Sequence, residues 1–100
     1  GLQSTTPFHT NSNSAVTADT SIATTINVPN NGVTIGGSCW FVNALSFTGL
    51  TEDTVDNGLT NPTSGAGAAS GSSMSAETAR AFSVAAASSN RRTIAVASWA

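Results

Sequence analysis

The sequence predicts an all-β domain, an antiparallel β-sandwich or jelly-roll-like barrel with an extended N-terminal arm. Three observations carry this. Residues 38–47, SCWFVNALSF, are the densest apolar run, with Cys39, Phe41, Leu45 and Phe47 on one parity and Trp40, Val42 and Ala44 on the other. A strand with apolar side chains on both faces is a central one. Residues 21–28 and 93–99 alternate β-branched or apolar residues with small or polar ones, and turn phrases rich in Pro, Asn and Gly separate the runs.

Residues 1–20 hold no sustained periodicity and read as the arm, leaving residues 21–100 as a single β domain. A chain of 100 residues has room for one core, which buries about 60–70% of the unfolded surface. Leu2 and Phe8 are the arm's large apolar groups and its candidate anchors on a partner. From Ser21 to Val28, Ile22, Thr24, Ile26 and Val28 share one face, the alternation of a strand. Pro29-Asn30-Asn31-Gly32 is a turn, because Pro sets φ and Asn and Gly tolerate the left-handed region. Val33 and Ile35 predict a short strand, with a bulge or corner at Gly36-Gly37 before the central run.

Thr51 suits a helix N-cap and Glu52 and Asp53 its first turn, so one short helical turn is expected there. The alternative is a Ca²⁺ site of Glu52, Asp53 and Asp56, although their spacing does not match an EF-hand loop. Residues 64–73, SGAGAASGSS, read as a mobile loop or an extended crossing. Residues 75–80 fit a helical turn and 81–87 a strand, joined through 88–92 to the last strand as a hairpin.

Charge and chemistry exclude more than they suggest. The chain has three Arg, no Lys and five acidic residues, and Ser, Thr and Asn make up over a third of it. Without clustered basic residues it lacks the footprint of a nucleic-acid binder, and Arg91-Arg92 reads as a solvent-facing pair in a turn. No apolar stretch is long enough for a membrane-spanning helix, and no signal peptide is expected. Cys39, the single cysteine, is expected to be a small buried hydrophobe. His9, the single histidine, lies in the arm without a scaffold to aim it at a nucleophile. One Cys and one His cannot close a zinc site, and no phosphate loop or nucleophile elbow occurs. The reading is therefore of a non-enzyme with no cofactor. Trp40 is expected in the core, whereas Trp99, near a strand end, is the residue a glycan-binding alternative would use.

The phrase INVPNNGVTIGGSCWFVNAL resembles the strand, Pro-turn, Gly-bulge and apolar-strand opening of small β modules on bacteriophage virions, and TIAVASWA resembles their closing strand. The resemblance implies a structural virion surface protein, a capsid decoration or cement subunit that binds capsid or another virion protein and copies of itself. Composition, as above, gives no membrane or nucleic-acid partner. The alternatives are a carbohydrate-binding or adhesion module at a cell surface or fibre, and a self-assembling filament or surface-layer subunit.

Overall fold

A computed structural model describes residues 5–16, 19–40, 45–57, 65–86 and 91–100, with the backbone alone for 54–57. Its described residues form eight strands and no helix: β1 (His9–Ala15), β2 (Ser21–Val28), β3 (Gly32–Trp40), β4 (Ser46–Thr48), β5 (Thr51–Asn57), β6 (Gly65–Met74), β7 (Glu77–Ala85) and β8 (Arg92–Trp99). All pairings are antiparallel, in one sheet of order β1-β8-β3-β6-β5 and another of order β2-β7-β4. The first strand pairs with the last, the second with the seventh and the third with the sixth. Those three nested pairs are shared with a jelly roll, whose fourth, β4 with β5, is replaced here by the pairing of β5 with β6, and the whole is a two-layer β-sandwich.

The core follows from side-chain size. Ile22, Ile26 and Val28 of β2 and Phe82 and Val84 of β7 point inward from the three-stranded sheet, and all are buried. They meet an inner face of the five-stranded sheet that is small at its centre: Thr34, Gly36 and Ser38 on β3 and Ala69 on β6 are all buried. Trp40, Ile94 and Val96 complete the core. Large side chains on one sheet thus fill room left by small ones on the other. The tightest fit lies over Gly36, where an added Cβ would sit 2.7 Å from Cζ of Phe82. Phe82 also stacks on Phe47 of β4, with ring centroids 5.7 Å apart and planes within 4°. Two buried polar atoms, Oγ1 of Thr34 and Nε1 of Trp40, have no hydrogen-bond partner among the described residues.

The predicted Pro29–Gly32 turn is present, with Asn31 at φ 57° and the Gly32 amide donating to the Pro29 carbonyl over 3.0 Å. It carries the chain from one sheet to the other. Leu45 and Trp40 are buried as expected of the apolar run.

Several expectations are corrected. The run 38–47 is not one strand: β3 ends at Trp40, β4 begins at Ser46 in the opposite sheet, and 41–44 lie outside the described residues. Gly36-Gly37 interrupts nothing, because β3 passes through it paired on both sides. The 65–73 segment is no loop; its small residues form β6, which pairs with β3 and β5, so its backbone is satisfied without apolar anchors of its own. Residues 51–57 pair with β6 as a strand instead of starting a helix, since tertiary pairing outweighs a cap signal. Residues 77–80 likewise belong to β7, although the strand expected over 81–87 is present to Ala85. β7 and β8 are not a hairpin, because they lie in different sheets.

Seven residues assigned to the arm form β1, paired residue by residue with β8 from His9 opposite Ser98 to Ala15 opposite Arg92. A strand without an apolar face is held there by main-chain hydrogen bonds and by the side-chain bonds described next. Residues 5–8 precede β1 and form no strand of their own.

Candidate interaction surfaces

The side chains of β1 decide how the sandwich closes. In HTNSNSA, alternation puts His9, Asn11 and Asn13 on one side, toward β2. Nδ2 of Asn11 donates to the Thr25 carbonyl over 2.9 Å, and Nδ2 of Asn13 to the Ala23 carbonyl over 3.0 Å. Nδ1 of His9 accepts the Asn27 amide proton over 2.9 Å. From β8, Nε of Arg92 donates to the Ser21 carbonyl over 3.0 Å, and Oγ of Ser98 to the Asn27 carbonyl over 2.6 Å. The outward carbonyls of the β2 edge, at Ser21, Ala23, Thr25 and Asn27, and the Asn27 amide are therefore each met by a side chain of the facing sheet. Less of that edge is left to template another chain.

Neutral hydrogen bonds contribute about 0.5–1.5 kcal/mol each, so the double substitution Asn11→Ala with Asn13→Ala is expected to cost about 1–3 kcal/mol in chemical denaturation. A cost near zero would mean that water satisfies the β2 edge as well as the asparagines do.

Arg92 is not the solvent-facing residue expected from the Arg pair. It is 5% exposed, with its guanidinium carbon 5.3 Å from the centroid of the Trp40 ring, while Arg91 is exposed. Arg92 sits at an inward position of β8, and an arginine can lay its plane on an indole face while donating to main-chain oxygen. His9 too is held at the sheet edge, by the Asn27 amide.

The other candidate residues fall as follows. Phe8 is 58% exposed, with its amide donating to the Ser98 carbonyl over 2.7 Å. It borders a shallow pocket of about 500 Å³, shared with Pro29, Asn30, Glu77 and Thr78. Leu2, its expected companion, lies outside the described residues. Trp99 is half-buried at the end of β8, opposite Val33 of β3. Glu52 and Asp53 are exposed where β5 and β6 shift register, and the side chain of Asp56 lies outside the described residues. No three His, Cys, Asp or Glu gather into a metal-holding group among the described residues. Cys39 is exposed, contrary to expectation, because its parity on β3 points away from the three-stranded sheet.

That outward parity defines a surface the sequence did not single out. Register aligns its residues in rows across the strands: Thr10, Ala97, Ile35 and Ser70; then Ser12, Ala95, Gly37 and Ala68; then Ser14, Thr93, Cys39 and Ala66. The middle row lacks any side chain longer than serine, and a trough of about 730 Å³ runs over it beside Ile35, which is 51% exposed. Ile35 was visible in the letters as an alternating apolar residue, but nothing local says which face of β3 is covered.

Among the described residues no helix is long and apolar enough to cross a membrane. No protein-family model, no curated protein and no solved structure matches this chain. Function is therefore argued from fold and surface chemistry.

Proposed function

We propose that this protein is a structural subunit of a virion surface, a capsid decoration subunit that binds and stabilises the shell through its N-terminal arm and a sandwich edge. The reading includes self-association and no catalysis. One observation carries it: the arm reaches the sandwich with a phenylalanine, Phe8, left mostly in solvent, an apolar anchor that the domain itself does not use. Support comes also from the jelly-roll strand order, which serves capsid shells as well as lectins, an argument by fold analogy. The nearly uncharged, Ser/Thr/Asn-rich composition suits close contact with other subunits without long-range charge repulsion.

Because β1 belongs to the sheet, the deletion that tests the arm is residues 1–8 and not 1–20. The shortened protein is expected to keep the cooperative unfolding of the full chain and to stop co-sedimenting with assembled particles. Undiminished co-sedimentation would remove the arm from the reading.

A second reading, glycan binding, is favoured by the exposed Phe8 ring beside Asn30, Glu77 and Thr78, an aromatic face next to polar groups. A glycan array comparing wild type with Phe8→Ala and Trp99→Ala separates the two, since a decoration subunit gives no specific glycan signal.

A further inference from the structure

The outer face of the five-stranded sheet is the surface of this molecule with the least account of itself. An antiparallel sheet that turns one face to water ordinarily shows polar and charged side chains there. On β1, β8, β3 and β6 the outward residues include Ile35, Val33, Ala95, Ala97, Ala66 and Ala68, with Ser, Thr, Gly, Cys39 and Trp99 making up the rest, and none is charged. Ile35 stands at the middle strand of the sheet as an exposed branched side chain, next to a trough floored by Gly37, Ala68 and Ala95.

We propose that this face is a homodimer interface, on which a second copy of the chain packs face to face. The Ile35 side chain of each copy enters the trough over Gly37, Ala68 and Ala95 of the other. Three features select a second copy as the occupant. Projection and recess lie on the same strand, two residues apart, so a twofold axis passing between them carries each Ile35 onto the partner's trough. Such self-complementarity is the defining requirement of an isologous contact. The face carries no charge on those four strands, so two identical surfaces meet without like-charge repulsion, while a partner recognised by charge would find nothing opposite it.

The size fits a weak, reversible dimer. Four uncharged strands at about 4.8 Å spacing and seven residues at about 3.4 Å give a face of about 460 Å² per copy, or about 910 Å² for the pair, at the low end of the range for transient contacts. The dimer is accordingly of modest affinity, and its dissociation is measurable. It deepens the self-association named above and is separable from the capsid contact: a protein that dimerises without binding particles keeps this inference and loses that reading.

Sedimentation equilibrium of the full chain tests it, with Ile35→Glu and Ala95→Arg as the variants. Both positions are exposed, and melting curves at low concentration confirm that each variant folds; if one does not, the other still reports. Wild type is expected to dimerise, and each variant to weaken the dimer about 100-fold, since each forces a charge against an apolar partner. Mixing the two variants is expected to restore dimers, because the mixed pair regains one native contact and places the introduced carboxylate against the introduced guanidinium. The proposal is overturned if wild type stays monomeric to about 1 mM. It is equally overturned if both variants dimerise like wild type, or if dimers are lost only when residues 1–8 are removed.

Discussion

Phe82→Ala is expected to lower the free energy of unfolding by about 3–5 kcal/mol, the range for deleting a fully buried aromatic side chain. The ring is 0% exposed, lies on Gly36 across the sandwich and stacks on Phe47 within its own sheet. Removing it therefore empties the junction of β3, β4 and β7 at once. The walls cannot collapse into the space, because Gly36 has no side chain to move and the β3 backbone is held by β6 on one side and β8 on the other. A domain of this size has about 5–15 kcal/mol of stability in total, so the variant sits near its folding limit. At about 4–8 °C per kcal/mol the melting temperature should fall by about 12–40 °C. Guanidinium denaturation followed by tryptophan fluorescence measures it directly, and a loss under about 1 kcal/mol would mean that Phe82 is not the centre of the core.

Gly36→Ala is also expected to be damaging, although it adds one methyl group. Two effects oppose each other. Replacing Gly by Ala stiffens the unfolded chain and favours folding by about 0.5–1 kcal/mol. The new Cβ would overlap the Phe82 ring, and overpacking of a closed core costs about 1–3 kcal/mol and at times more. Phe82 cannot retreat, because Phe47 is stacked on it, so the cost should lie at the upper end and the net loss be about 2 kcal/mol.

The diagnosis is checked by a double-mutant cycle. In a Phe82→Leu background Gly36→Ala should cost less than about 1 kcal/mol, since the obstructing ring atoms are gone. Additive losses would place the strain elsewhere. A contrasting site is Gly49, at φ 101°, where a side chain would meet both an unfavourable backbone conformation and the Ala81 carbonyl. At Gly36 only the neighbour forbids the methyl group.

These two residues also show where reading the letters succeeds and fails. Phe82 was legible as an inward strand residue, because it alternates with Val84 and Ala86. Gly36 was read as a corner, since a Gly-Gly pair within a strand pattern signals a break when nothing shows what faces it. The facing residue lies 46 positions away in the other sheet. The same holds for Arg92. Beside Arg91 it looks like half of a solvated pair, and only the packing of β8 over Trp40 makes it an interior group. In β1 the spacing of His9, Asn11 and Asn13 was a usable signal of a strand with a hydrogen-bonding face. Polar alternation carries little weight without an apolar side to orient it, so the segment was assigned to the arm.

Of the candidate surfaces, Phe8 was found from sequence because a large apolar residue in a polar segment stands out. Ile35 was not, because its alternation with Val33 is the same whether that face is buried or bare. The acidic trio was proposed from proximity in sequence; Glu52 and Asp53 lie at the register shift of β5 against β6, and the Asp56 side chain lies outside the described residues.

Sequence alone determined that this chain is all-β, which of its residues alternate, where the Pro29–Gly32 turn falls and that Trp40 belongs in the core. Those properties depend on a residue and its immediate neighbours: side-chain branching, the two-residue period of a strand, the φ preferences of Pro, Asn and Gly. Tertiary structure alone decided which sheet each strand joins, that Gly-, Ala- and Ser-rich β6 is a strand at all, that β1 caps the β2 edge, and that Cys39 and Ile35 look outward while Arg92 looks in. A period of two records that a strand has two faces without saying which one is covered. The partner that covers a face, or satisfies an edge, comes from distant parts of the chain, and is chosen only when all the strands compete for the same core.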